Sequence, residues 1–192
     1  MFRSTRDGGV TVTLSGAEAT LLRTLVVPVM ELLNDPSRPS AQKEAAADEQ
    51  ADIFADLERQ FSSADEPAPE LSADPVIARL LPDAYQDDPE KAGEFRKYTE
   101  PSLREAKKYF AQTLLETLPP AGGKIRLTGD QARDWLRALN DIRLMFGVRL
   151  EVTEDFEEQI AALDPKDPRI PAFEAYGWLG AVQDSLVRAL AR

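Results

Sequence analysis

The sequence predicts a mainly α-helical protein, with six to seven helices around one core and a small N-terminal β-hairpin that residues 124–127 can extend to three strands. Three observations carry this. Helix-start signals recur along the chain, and apolar residues repeat at helical spacing behind them. One clear hairpin signal sits near the N-terminus.

Phe2 to Thr5 and Val10 to Leu14 flank Arg6-Asp7-Gly8-Gly9, and Asp-Gly between two short runs of this kind marks a hairpin. Ser15 then opens a helix with a capping box: its hydroxyl can accept from the Glu18 N–H while the Glu18 carboxylate reaches back to the Ser15 N–H. That helix runs to about Asn34 and is apolar on nearly every side, so it is expected at the centre of the fold. Pro28 removes one of its backbone hydrogen bonds. Asp74-Pro75 and Asp88-Pro89 each read as a cap followed by proline in the first turn, where the missing N–H costs nothing. The second of these helices is expected to reach Tyr98, with Thr99 and Pro101 restarting the chain into a long helix that ends at Leu118. On it Leu103, Ala106, Phe110, Leu114 and Leu118 form a seam, leaving Arg104, Lys107 and Lys108 towards solvent.

Residues 124–127 read as a strand, and Thr128 with Gln131 makes a second capping box. The helix behind it carries Ala132, Trp135, Leu136, Leu139, Ile142 and Phe146 on one face and is expected to stop at Gly147. A Thr153-capped helix over residues 154–163 follows. A last helix, opened by Asp167-Pro168, reaches Ala191. Leu14-Ser15-Gly16-Ala17-Glu18-Ala19 echoes Leu127-Thr128-Gly129-Asp130-Gln131-Ala132. Good caps look alike, and an old duplication is the other reading.

Charge divides the chain. Residues 36–75 hold ten acidic and three basic residues and five prolines, a net of −7 out of −11, so the remainder is near balance at −4. The organisation is therefore one domain: hairpin and first helix over residues 1–35, a solvated and largely flexible acidic insertion over 36–75, and a helical core over 76–192. Within the insertion, Ile53, Phe54, Leu57 and Phe61 give residues 48–61 a narrow apolar stripe, which would dock on the core or on a partner.

Hydrophobic residues make up 43% of the chain, enough to bury a core at this length. The chain has neither cysteine nor histidine. That removes disulfides, thiol chemistry, the usual zinc and haem ligands and every His-based general base. A net charge of −11 argues against indiscriminate binding to nucleic acid or an anionic membrane. Residues 1–9 are too polar for a signal peptide, and the most apolar stretch, residues 21–33, is broken by Arg23, Pro28 and Glu31. A cytoplasmic protein is expected. No phosphate loop, dinucleotide fingerprint, nucleophile elbow or zinc spacing is present, so neither cofactor nor metal is expected. Carboxylates cluster at Asp83, Asp87, Asp88 and Glu90, and at Glu151, Glu154, Asp155, Glu157 and Glu158. They could do acid/base work only if burial or pairing pushed their pKa values apart.

The leading candidate surface lies between Leu80 and Glu100, where Tyr85, Phe95, Arg96, Lys97 and Tyr98 fall within about twenty residues. Tyrosine and arginine dominate interface energetics because they bury large area while keeping a polar tip. The alternative is that Phe95 is core and the tyrosines cover it. Arg133, Arg137 and Arg143 form a second candidate, although Asp130, Asp134 and Asp141 stand three or four residues from Arg133 or Arg137, at ion-pairing spacing. Gly177 and Gly180 form a candidate helix-contact face, serving either intramolecular packing or a subunit interface.

Several strings occur together: Leu80-Leu81-Pro82-Asp83-Ala84-Tyr85, then Glu94-Phe95-Arg96-Lys97-Tyr98-Thr99-Glu100, then Trp135-Leu136-Arg137-Ala138-Leu139-Asn140-Asp141-Ile142-Arg143-Leu144. With Trp178-Leu179 and Gln183-Asp184-Ser185-Leu186-Val187, they resemble an actinobacterial family of unknown function that includes the oxidative-stress regulator AosR. The resemblance covers the chain apart from the acidic insertion. It implies a cytoplasmic, non-enzymatic regulator working with a stress sigma factor on redox-defence genes. It also implies sensing through a cysteine pair, which this chain lacks, so disulfide sensing does not carry over.

The function expected is thus a regulatory protein-interaction module with a protein partner, a sigma factor or other transcription machinery. Homodimerisation is left open, and neither direct nucleic-acid binding nor membrane association is expected. A carboxylate-dependent enzyme and a direct DNA-binding regulator are the alternatives.

Overall fold

A computed structural model of the protein describes residues 1–34, 74–85 and 87–191. The acidic insertion, apart from Asp74 and Pro75, and the helix expected over residues 48–61 lie outside the described residues. In chain order the elements are β1 (Arg3–Ser4), β2 (Val10–Leu14), α1 (Gly16–Leu33), α2 (Pro75–Leu80), α3 (Pro89–Thr117), β3 (Gly123–Leu127), α4 (Gly129–Arg149), α5 (Phe156–Ala161) and α6 (Ile170–Leu190). Among the described residues this is a mainly helical fold with one three-stranded antiparallel sheet, in the order β1-β2-β3.

The hairpin closes where Asp-Gly placed it. Thr5 N–H donates to the Gly9 carbonyl (2.9 Å), and Gly8 N–H donates to the Thr5 carbonyl (3.1 Å). Gly8 takes the left-handed conformation that such a three-residue turn needs (φ 78°). Alternation then sorts the strands: Val10, Val12, Leu14, Ile125 and Leu127 are buried, while Thr13, Lys124 and Arg126 face water.

Both capping boxes form. Since Val12 pairs with Ile125, and Val10 with Leu127 as Leu14 does with Gly123, the two strand–cap–helix units are related by a local two-fold. The glycine that starts each helix meets the same constraint. A Cβ on Gly16 would stand 3.1 Å from the Ala121 carbonyl, and one on Gly129 would stand 3.0 Å from the Gly8 carbonyl. Both halves of the echo, residues 14–19 and 127–132, thus meet the same packing requirement.

The central helix is α4, not α1. It packs against α1, α2, α3 and α6, and Trp135 on it is wholly buried. The Trp135 indole N–H donates to Thr117 Oγ1 at 2.7 Å, and its ring meets Phe2 edge-on at 6.0 Å. The apolar surround of α1 does not translate into full burial, since Val27 is 42% exposed.

Four boundaries differ from expectation for local reasons. The helix expected to end at Tyr98 runs on through Pro101 as one α3. Thr99 does not cap a new start; its hydroxyl donates back to the Phe95 carbonyl (2.8 Å) and so continues the turn. Helix α4 passes Gly147 and ends at Arg149, where Glu151 rather than glycine takes the left-handed position (φ 51°). Its N–H donates to the Val148 carbonyl (3.2 Å) and that of Val152 to Gly147 (2.9 Å), a Schellman closure. Thr153 does not cap α5: the helix starts only at Phe156 with Asp155 at its cap position, and the Thr153 N–H donates to the Gln159 side chain (3.3 Å). Asp167 accepts from the Arg169 N–H (2.8 Å) in a turn that precedes α6, which begins at Ile170.

Candidate interaction surface

Helix α3 builds the site. Pro89 fits its first turn, and Asp88 Oδ1 accepts from the Lys91 N–H (3.2 Å). Its buried stripe runs through Ala92, Arg96, Glu100, Arg104, Ala111 and Leu114 to Leu118. The charged centre of that stripe overturns the expectation that Arg104 and Lys107 point to solvent and that Leu103 is core. Leu103 is 38% exposed, whereas Arg104 is buried.

Each inward charge has a partner. Arg96 Nε donates to Asp83 Oδ1 (2.9 Å), and its Nη2 reaches the same carboxylate. Arg104 Nε bonds Glu100 (2.8 Å), and its Nη1 reaches the Leu32 and Leu33 carbonyls at the end of α1 (3.3 Å each). Those last carbonyls have no partner within their own helix, so a guanidinium there satisfies them and complements the helix dipole. Lys107 Nζ meets Asp141 Oδ1 on α4 (2.6 Å). Ion pairs therefore hold α3 from behind.

Its outer side carries Phe95, Tyr98 and Tyr109, 45%, 69% and 62% exposed. Tyr85, on the loop before α3, stands edge-on to Phe95 with ring centroids 6.0 Å apart and is itself half exposed. Phe95 is therefore not core. Of the sequence candidates, Tyr85 and Tyr98 are presented to solvent, Lys97 is half-buried, and Arg96 is a scaffold residue beneath the face. Tyr109 escaped the sequence reading. Its signal was its spacing, since eleven residues after Tyr98 is about three helical turns and returns to the same side. The groove between the Tyr85 loop and α3 holds only about 20 Å³, room for roughly one water molecule. This site is a surface rather than a pocket.

The second candidate finds partners within the chain, with only the buried Arg143 Nε left without a hydrogen bond among the described residues. Arg133 pairs with Asp130 (2.5 Å) and Arg137 with Asp134 (3.2 Å), as the spacing suggested. Arg143 has its partners on α6. It donates to Gln183 Oε1 (2.6 Å) and lies 5.2 Å from the centre of the Tyr176 ring. Gly177 and Gly180 also face inward neighbours: a Cβ there would meet the Phe156 ring at 3.7 Å and the Arg143 guanidinium at 3.9 Å.

Two clefts of about 400 and 450 Å³ flank the N-terminal residues. In the first, the Ser185 hydroxyl is taken by the Phe2 N–H (2.8 Å) and Arg188 by Asp184 (2.8 Å). Burial pushes the Asp141 carboxyl up against the downward pull of Lys107. Hydrogen bonds from Ser15, Lys91 and Arg169 hold Glu18, Asp88 and Asp167 down. Among the described residues, no group of three or more acidic, His or Cys side chains is placed to hold a metal ion, and no helix is long and apolar enough to cross a membrane.

The chain is 33% identical over 200 residues to proteins named oxidative stress regulator AosR from Mycobacterium tuberculosis and Mycobacterium bovis, covering 97% of this chain and 84% of each relative. A Mycobacterium leprae protein named putative oxidative stress regulator AosR is 36% identical over 130 residues, covering 61% of this chain and 58% of the relative. No solved structure matches. Residues 1–190 match the model of one family, and the chain belongs to it: the domain of unknown function DUF2017.

Proposed function

We propose that this protein is a non-enzymatic regulator that acts in the cytoplasm on stress-responsive transcription, by docking a component of the transcription machinery such as a sigma factor. The observation that carries the reading is the face of Tyr85, Phe95 and Tyr98, open to solvent on a helix pinned from behind by buried ion pairs. A face of this kind presents rigid aromatic anchors, and rigid anchors lose little entropy when a partner covers them. The regulatory part of the reading comes from the relatives named oxidative stress regulators. Sulfur in this chain is confined to Met1, Met30 and Met145, so any response to oxidants runs through methionine or through the partner, not through a disulfide.

Affinity capture from native lysate of an organism that encodes the protein, with mass spectrometry, tests this. Recovery of RNA polymerase or a sigma factor by the wild type, lost with Tyr98→Ala, supports the reading. Recovery of metabolic enzymes alone, or capture indifferent to Tyr98→Ala, overturns it.

A further inference from the structure

The rim of the aromatic face says what kind of partner it suits. Glu90 and Glu94 stand one turn apart on α3, and Tyr98 stands one turn further on. All three are exposed. Asp88 is neutralised by Lys91 at 2.7 Å, but no salt bridge with a described residue engages Asp87, Glu90 or Glu94. Like charges four residues apart on a helix repel. Among the described residues, this pair of carboxylates beside the most exposed tyrosine is held in no salt bridge.

The rings point the same way. Elsewhere this chain places guanidinium groups over aromatic faces: Arg137 over Phe110 at 4.8 Å, Arg143 over Tyr176 at 5.2 Å and Arg169 over Phe173 at 6.0 Å. Among the described residues, no cation covers Tyr85, Phe95 or Tyr98. An exposed ring beside a carboxylate attracts a cation twice, through the ring quadrupole and through the charge.

We propose that the Tyr85–Phe95–Tyr98 face, rimmed by Glu90 and Glu94, docks an arginine-bearing segment of a partner protein. Arginine side chains stack on the rings and pair with the two carboxylates. Charge decides against the other occupants: residues 36–75 of this chain carry −7, a second copy carries −11, and nucleic acid brings phosphates to an acidic rim. The inference rests on the interaction reading above and adds the partner's chemistry to it.

The test uses the full chain and a fluorescent synthetic peptide of arginine, alanine and leucine, with a glutamate-for-arginine version as its counterpart, read by anisotropy. The arginine peptide is expected to bind, more weakly at high salt, and the glutamate peptide is expected not to. Glu90→Gln/Glu94→Gln and Tyr98→Ala should each weaken binding about tenfold or more. Glu157→Gln/Glu158→Gln on α5 makes the same change in net charge away from the face and should leave binding within about twofold. Equal losses from the two double variants would mean non-specific attraction to an acidic protein and would overturn the proposal, as would preference for the glutamate peptide. Thermal melting of each variant separates loss of binding from loss of fold. If native capture depends on Tyr98 yet survives Glu90→Gln/Glu94→Gln, the interaction reading stands and the basic partner falls. If it is indifferent to Tyr98→Ala, both fall.

Discussion

Lys107 Nζ lies 2.6 Å from Asp141 Oδ1, and both side chains are nearly closed off from water between α3 and α4. Taking two charges out of water is costly, and the pair is stable only because each repays the other. Lys107→Met leaves a buried carboxylate alone and is expected to cost about 3 kcal/mol in urea unfolding at neutral pH. The double variant Lys107→Met/Asp141→Leu is expected to recover most of that loss. A double variant as unstable as the single one would show that the pair is not the unit of stability.

The same pair sets a pH dependence with a definite sign. Without Lys107, burial alone acts on Asp141 and drives its carboxyl further above the ordinary value of 3.8. A carboxyl raised in the folded state binds its proton more tightly there than in the unfolded chain. Its contribution is then most favourable below the unfolded value and is lost as pH rises through the folded one. The penalty of Lys107→Met should therefore shrink as pH falls towards 4. A penalty that stays constant between neutral pH and that point would mean the carboxylate is not buried alone.

Arg96 and Tyr98 should separate scaffold from surface. Arg96 is buried against Asp83, so Arg96→Ala is expected to cost about 2–3 kcal/mol of stability, less than a fully buried pair because Asp83 is partly open. Tyr98→Ala, on the exposed side, should stay within about 0.5 kcal/mol of the wild type while losing partner binding. Paired melting and capture measurements check this. The opposite ranking would return Arg96 to the interface.

Much of the fold was legible because its signals are local. Ser15 with Glu18, Thr128 with Gln131, and Asp-Gly in the turn each need only a few neighbouring residues, and all three formed. The register of α3 was not legible, because its buried stripe is charged at Arg96, Glu100 and Arg104. A search for apolar periodicity passes over such positions and settles on Leu103 one residue away. Arg104 has Glu100 one turn away, but the partners from other elements, Asp83 for Arg96 and the α1 carbonyls for Arg104, leave no mark in the local sequence. For the surface, residue type put Tyr85, Arg96 and Tyr98 in one group, and that the two tyrosines are exposed while Arg96 is buried is a tertiary fact.

Glu151 pays a conformational cost that can be removed. It sits at φ 51° in the position after the α4 cap, where side chains with a Cβ are strained and glycine is not. The hydrogen bonds that need this turn are all main-chain on the Glu151 side, including Gln159 Nε2 to the Glu151 carbonyl (3.0 Å). Glu151→Gly is expected to stabilise the protein by about 0.5–1 kcal/mol, despite the extra freedom glycine gains in the unfolded chain. A fall in denaturation midpoint of similar size would mean that the glutamate side chain holds the α4–α5 turn.

Pro101 is the weak point of α3. It lies inside the helix rather than at its start, so position 101 supplies no N–H to the turn before it, and its ring crowds that turn. Two side chains work on the backbone around it: Thr99 Oγ1 donates to the Phe95 carbonyl (2.8 Å) and Ser102 Oγ to the Thr99 carbonyl (2.9 Å). This interruption falls between the exposed segment with Phe95 and Tyr98 and the segment anchored by Arg104 and Lys107. Pro101→Ala adds a helical hydrogen bond and removes the crowding, at the cost of a freer unfolded chain. The net is expected to be a gain of about 1–2 kcal/mol, because an interior proline costs roughly 3 and the unfolded-state term returns only part of it. Hydrogen exchange should show the gain locally, as slower exchange of the amides between Tyr98 and Glu105 with little change in α4. Unchanged protection there, or a less stable protein, would mean that the surrounding ion pairs require the helix path that Pro101 imposes.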